Sequence, residues 1–554
     1  MAARELISRV ASYSWKGSFY QLADLAFLTA NVPEGHRSEV VRRRTVDALL
    51  SLTGTPEASD LLHRCRAVAT RNRDRIVLAH EEGISFLQHV VLLYGGEDGP
   101  IPVDSEIALW LAAVNDHLSY RDNRADLASD EQQLMANMLR YARFNNYPDV
   151  LRELVRSYLI FRDPPPHRPM EAIWQTLQST AFPDIGFHDF FEAELGPLYI
   201  LSTQLWGVPG SEYSAPKIDF RVFFSKTALS KDRVTSFLRT MSKSRTDLRD
   251  EIARELRQDG LPLAPFALRH SPFVEFDENV LVGASPGALL SQLRTGLWAR
   301  YLSAAKQLDA RSGATTWLSG FGYMVEYWCR RVALDAQNAC ASARVVLSKA
   351  AGSNDEVEDV VAMEGNVAIL FSVKSRLMTE AIARGTASVE NALGWLESFF
   401  FENKKDDHRG GAVRLVSSRI DKLRRGDFEV LGIDRSARVY PMIVTYDNFG
   451  LVDLHYQWLE KRSNAEGLLQ QDGVGPLAVI RMEEFEDLLA LLAQGKHVAS
   501  LLGSRESMNQ HRRLDQLIHE IGLRPERLPL FEKEMRALHQ RIMDKLFGHR
   551  AGNR

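Results

Sequence analysis

The chain has 554 residues, 45% of them hydrophobic and 25% charged, with a formal net charge of −4. That length exceeds what one hydrophobic core serves and predicts roughly two to four domains. The near-neutral balance excludes a chain that is basic throughout, so any nucleic-acid surface is a local patch.

Cys65, Cys329 and Cys340 offer no Cys-x-x-Cys spacing, which argues against structural zinc and for a reducing cytoplasm. The opening "MAARELISRVASYSWKGSFYQL" lacks the uninterrupted apolar core of a signal peptide, and "ISFLQHVVLLYGG" (84–96) is too short to span a bilayer. The expectation is a cytoplasmic protein with no membrane segment.

Residues 1–162 read as an α-helical domain. "SEIALWLAAVNDHL" and "EQQLMANMLRYARF" repeat apolar residues at three- and four-residue intervals, the period of a half-buried helix. "DPPPHRP" (163–169) breaks the pattern, because proline lacks the amide hydrogen and excludes the helical conformation from the residue before it. A mixed segment, 171–300, follows. It holds a strand-like "KIDFRVFFS" (217–225), a charged helix over 234–260, a hairpin turning near "FDENV", and a helix that starts after Ser285 and Pro286.

Residues 301–504 change texture. "TTWLSGFGYMVEYWCRRVAL" is a helix with Phe321, Val325, Trp328 and Val332 as its buried stripe and Glu326 beside it. Two strands follow, "EVEDVVAM" and "VAILFSVK", joined by a Glu-Gly-Asn turn that signals an antiparallel hairpin. Strand alternation puts Asp359 on one face and Glu358 on the other, and Ser372 and Lys374 on a shared face. Asp359 and Lys374 then converge at the open end of the hairpin. Further on, "VYPMIVTYD" (439–447) reads as a strand, and helices are expected to break at Gly495 and Gly503. Residues 505–554 form a helical tail whose final segment, "LFEKEMRALHQRIMDKLFGHR", packs back on the core by default.

A helix glutamate, a strand aspartate, a hairpin turn and a strand ending in x-x-Lys together resemble the PD-(D/E)XK, restriction-endonuclease-like nuclease superfamily. The matching segments are "GFGYMVEYW" with Glu326, "EDVV" with Asp359 and "FSVK" with Lys374, and the likeness covers about Leu318 to Leu502. It implies an α/β domain with a mixed central sheet behind the helical N-terminal half. It also implies hydrolysis of nucleic-acid phosphodiester bonds, DNA ahead of RNA, with Mg²⁺ or Mn²⁺. Large bacterial proteins of this type resemble effectors of phage defence or restriction, with a protein partner or homo-oligomer engaged through the helical half.

By the same resemblance, Asp359, the Val373 main-chain carbonyl and Glu326 would bind metal, Lys374 would act on the attacking water, and Arg414 would assist from the helix after the lysine strand. One position departs from the pattern. Ser372 stands where an acid is usual, and a serine brings no charge to a hard cation. Either a carboxylate on the following helix, Glu390 or else Glu380, takes its place, or the domain is a non-catalytic nucleic-acid-binding or scaffold subunit in which Lys374 simply pairs with Asp359.

Other features carry bland readings. "RSEVVRRRTVDALL" and "HRCRAVATRNRDR" fit solvated helix faces. "FFFENKKDDHRGG" (399–411) reads as helix core followed by a polar loop. His80, His89 and His188 lack ligand spacing, and "GGEDGP" lacks the Gly-Lys-Ser/Thr of a phosphate loop.

Overall fold

A computed structural model describes residues 3–31, 43–48, 81–124, 135, 150–163, 168–183, 185–196, 198, 217–223, 227–254, 256, 260–261, 267–340, 344–347, 358–379, 381–382, 387–402, 411–447, 451, 453–508 and 514–547. Nearly all of "EQQLMANMLRYARF", both arginine-rich segments except 43–48, the polar part of 399–411, Glu356 and Glu380 lie outside them.

The architecture is mainly helical with two mixed sheets. Among the early helices are α1 (Glu81–Tyr94), α2 (Asp104–Arg124) and α3 (Val150–Arg162). The first sheet has the order β1-β4-β3-β2, built from β1 (Lys217–Asp219), β2 (Ser242–Ser244), β3 (Phe273–Asp277) and β4 (Val280–Gly283). Here local chemistry overrides the expected elements. The strand predicted over 217–225 stops at Asp219, whose carboxylate accepts the Arg221 N–H at 3.0 Å and turns the chain into a short helix, Phe220–Phe223. The helix predicted over 234–260 is two helices, α4 (Lys231–Thr240) and α5 (Arg245–Ala253), split by β2. Ser244 caps α5 by accepting the Asp247 N–H at 3.1 Å, a Ser-x-x-Asp signal legible in the sequence. The β3–β4 hairpin and the helix α6 (Pro286–Ser291), capped by Ser285, follow the expectation.

The second sheet has the order β5-β6-β7-β8-β9: β5 (Arg344–Val346), β6 (Val360–Glu364), β7 (Val367–Lys374), β8 (Arg438–Thr445) and β9 (Ala478–Arg481). β6 runs antiparallel to both of its neighbours, β5 and β7, and β7, β8 and β9 are parallel. Gly365 has φ +57 in the turn between β6 and β7, a conformation that disfavours any side chain. One face packs Ile369 and Phe371 against α7 (Gly313–Ala339) and α10 (Met482–Ala493), with Phe371 edge-on to Phe485 at 5.0 Å. The other packs Val361 and Leu370 against α8 (Val389–Phe401) and α9 (Ala412–Arg425), which carry the crossover from β7 to β8. Phe321, Val325, Trp328 and Val332 are all buried, as the helical period predicts. Gly495 ends α10 with φ +69. Gly503 breaks nothing, because it lies within α11 (Val498–Met508).

One apolar cluster runs from Phe27 through α3, α7 and α10 to Leu546, so the segments on either side of 163–169 and of 300 share a core. A buried charge network lies inside it. Arg156, 1% exposed, reaches Glu486 at 2.7 Å, Glu153 at 2.6 Å and Glu483 at 2.9 Å. Arg152 adds Glu486 at 2.6 Å and Asp487 at 2.7 Å, while Arg294 adds Glu153 at 2.5 Å and also reaches Glu483. The Trp328 indole donates to Glu486 at 3.2 Å. The C-terminal helix α12 (Pro529–Phe547) packs back on this body, with Arg541 on Glu192 at 2.5 Å and Lys545 on Asp189 at 2.9 Å. Among the described residues no helix is long and apolar enough to cross a membrane.

Two buried histidines set a pH dependence. His89 on α1 hydrogen-bonds the Ser85 carbonyl at 2.7 Å, and burial lowers its pKa to about 4; burial does the same to His455, which bonds the Met135 carbonyl. Both are neutral in the fold, so their stabilisation is complete above the unfolded value near 6.5 and is lost as the pH falls from there towards 4. Each shift is worth about 3 kcal/mol at pH 4. Melting scans between pH 7 and pH 4.5 are expected to show a smaller fall for His89→Leu than for wild type.

Candidate functional site

The site lies at the open end of the β6–β7 hairpin, where β7 runs parallel to β8 and ends on Lys374. Carboxyl ends of neighbouring parallel strands commonly frame a ligand crevice. Ser372 and Lys374 share parity with Ala368 and Leu370, which places them on the α8/α9 face of the sheet. Lys374 is half-buried, its backbone carbonyl accepts the Tyr446 N–H at 3.0 Å, and its ammonium forms no ion pair among the described residues.

Asp359 comes one residue before β6 begins, and its carboxylate accepts the Val373 N–H at 2.7 Å. The aspartate and the lysine strand therefore do converge, through the backbone of the residue before Lys374. In an extended strand a residue turns its N–H and C=O to the same edge and its neighbours to the other; the Lys374 carbonyl accepts from Tyr446 on the β8 side, so the Val373 carbonyl faces the Asp359 side as well. The Asp359 carbonyl accepts a long 3.4 Å bond from Arg330 of α7. Glu326 pairs with Arg330 one turn along at 3.9 Å, and Gly322, a turn before it, lies against Ser375. Glu326 thus borders the site from the α7 side, while Cys329 beside it is a buried thiol with its pKa pushed well up by burial and by the Asp359 charge.

Three expectations change here. Alternation set Glu358 on the face away from Asp359; the Asp359 charge nonetheless acts on it, together with Lys374 and Arg419 of α9. The physical reason is that pairing stops at Val360, so strand alternation does not extend back to residues 358 and 359. Arg414 is committed elsewhere, donating to the Phe401 carbonyl at 2.7 Å and pairing with Glu466, and Arg419 is the α9 residue whose charge reaches the site. The salt bridge of Lys374 with Asp359 does not occur among the described residues.

Glu358 carries the most unusual environment. It is 7% exposed, its Oε2 receives only a long 3.3 Å bond from the Asp359 N–H, and its Oε1 is buried with no hydrogen-bond partner. Burial, with Asp359 adding to it, pushes its pKa up to about 7 against the opposing pull of Lys374 and Arg419. Ser372 is fully buried, and Glu390 is exposed on the first turn of α8, where a carboxylate suits the helix dipole. Arg376 reaches the same helix, donating to Ser398 at 3.0 Å and lying over the Trp395 ring.

No three His, Cys, Asp or Glu side chains gather as a metal cluster among the described residues. The oxygen donors at the hairpin end still fit Mg²⁺ or Mn²⁺, ions that are commonly held by one or two carboxylates and complete their shell with water and substrate phosphate. Of the sequence-derived set, Asp359 and Val373 are joined by a hydrogen bond, Ser372 and Lys374 flank Val373 on β7, and Glu326 borders them; among the described residues no contact brings Glu390 or Arg414 to the group. A scan against family models finds no match, and searches of curated proteins and of solved structures find none either.

Proposed function

We propose that the chain is a metal-dependent nuclease of the PD-(D/E)XK type, hydrolysing nucleic-acid phosphodiester bonds at the β6–β7 hairpin end. The observation that carries this reading is the 2.7 Å bond from the Val373 N–H to the Asp359 carboxylate, next to a Lys374 that ends a strand of a mixed five-stranded sheet. The strand directions, two antiparallel pairings followed by two parallel ones, support it too.

Asp359 and the Val373 carbonyl would hold the divalent ion, which supplies charge to offset the developing negative charge on the phosphate. Lys374 attracts the phosphate and takes up or orients the proton of the attacking water. Arg330 and Arg419 add positive charge on the two sides of the sheet end, in keeping with a polyanionic substrate. DNA is the preferred substrate of this proposal.

A second reading, a non-catalytic nucleic-acid-binding or scaffold subunit, is favoured by two observations: Ser372 stands where the resembled pattern has an acid, and no group of three His, Cys, Asp or Glu side chains forms a metal cluster among the described residues. Purified protein incubated with plasmid and with single-stranded DNA separates the two. Cleavage in Mg²⁺ or Mn²⁺ that stops with EDTA is the expected outcome; DNA retained without cleavage under every metal tested supports the scaffold.

A further inference from the structure

We infer that Glu358 is a ligand of the divalent cation, supplying together with Asp359 the second carboxylate that Ser372 cannot provide. The inference rests on the nuclease reading and names a residue that the family pattern does not assign.

Three observations converge on it. First, Glu358 is 93% buried by its 7% exposure, and its Oε1 has no partner. Buried carboxylate oxygens are almost always satisfied, and one that is not calls for a function or an ion. Second, the flanking cations stop short of neutralising it. Lys374 and Arg419 act on Glu358 through space, but neither forms an ion pair with it among the described residues. A buried carboxylate that attracts two cations and contacts neither is arranged to receive further positive charge. Third, the two carboxylates are near enough for the Asp359 charge to act on Glu358. Glu358 and Asp359 are adjacent, Asp359 is fixed on the Val373 N–H, and the Val373 carbonyl turns to the same edge. Two carboxylates and a carbonyl leave positions for water and phosphate, the donor set that Mg²⁺ prefers. Glu390, the alternative from sequence, is exposed, and its position at the start of α8 is accounted for by the helix dipole.

The test is a Mn²⁺ titration of the full chain by electron paramagnetic resonance, without nucleic acid, on wild type, Glu358→Gln, Glu390→Gln and Asp359→Asn, with melting scans of each in EDTA. Glu358→Gln is expected to weaken Mn²⁺ binding by at least about 10-fold, and Glu390→Gln to leave it unchanged. In EDTA Glu358→Gln is expected to melt no lower than wild type, since Oε1 lacks a partner and an amide oxygen can still accept the long bond from the Asp359 N–H. Wild-type affinity in Glu358→Gln, with Asp359→Asn impaired and wild-type cleavage metal-dependent, overturns this inference and leaves the nuclease reading standing. A lower melting temperature of Glu358→Gln in EDTA assigns the glutamate a structural role and overturns it as well. A wild type that neither binds Mn²⁺ nor cleaves overturns both.

Discussion

Lys374→Ala is expected to lower the rate of DNA cleavage by about 10²–10⁴-fold, the usual contribution of a positioned acid–base group, while the protein stays folded. The two halves of that expectation have separate physical grounds. The rate falls because the ammonium stands at the end of β7, one residue beyond the Val373 amide that fixes Asp359, where a phosphate and its attacking water would meet. The fold survives because Lys374 forms no ion pair among the described residues and is only half-buried, so its truncation strands no partner. Lys374→Arg separates the roles of the lysine. A guanidinium keeps the charge but does not release its proton in this pH range, so recovered activity indicates charge stabilisation and continued loss indicates proton transfer. A scaffold would show no cleavage in wild type or in Lys374→Ala, while a DNA-binding measurement alongside would still detect retained DNA.

The largest stability effect is expected at Arg156. Its guanidinium serves Glu153, Glu483 and Glu486 at once, and these carboxylates outweigh the burial that opposes its charge. Arg156→Met removes the cation and leaves the acids buried, a change that costs about 3–5 kcal/mol. Urea unfolding followed by tryptophan fluorescence would report it, since Trp328 donates to Glu486 in the same network. Adding Glu486→Gln to Arg156→Met is expected to cost less than the sum of the two single changes, because the second substitution removes a charge that the first left unpaired. Strict additivity would show that the network is screened and contributes little.

Much of this was legible in the sequence because it depends on short-range pattern. The stripe of α7, the extent of β7 and the glycine turn follow from period and turn chemistry alone. The site was legible as far as alternation holds. Asp359 and the lysine strand meet as their positions at the open end of the hairpin imply, but the surroundings of Glu358 were not legible because pairing ends at Val360. Which arginine of α9 points to the site depends on how the helix rolls on the sheet. Val413, Val416 and Ile420 fix that roll by packing, which leaves Arg414 to the Phe401 carbonyl and Arg419 to the site. The charge network was not legible at all, since its members are separated by as many as 335 positions and each acid or arginine resembles a surface residue locally.

The docking of α12 has a consequence for biosynthesis. Arg541 meets Glu192 across 349 positions and Lys545 meets Asp189 across 356. At about 5–20 residues per second, the ribosome needs roughly 20–70 s to make the intervening chain. Through that interval the surface around Glu192 waits without its cover, exposed to chaperones and to premature association. Completion of this body therefore waits until α12 has been made, and a nascent chain released before α12 emerges carries its hairpin end on an unfinished scaffold.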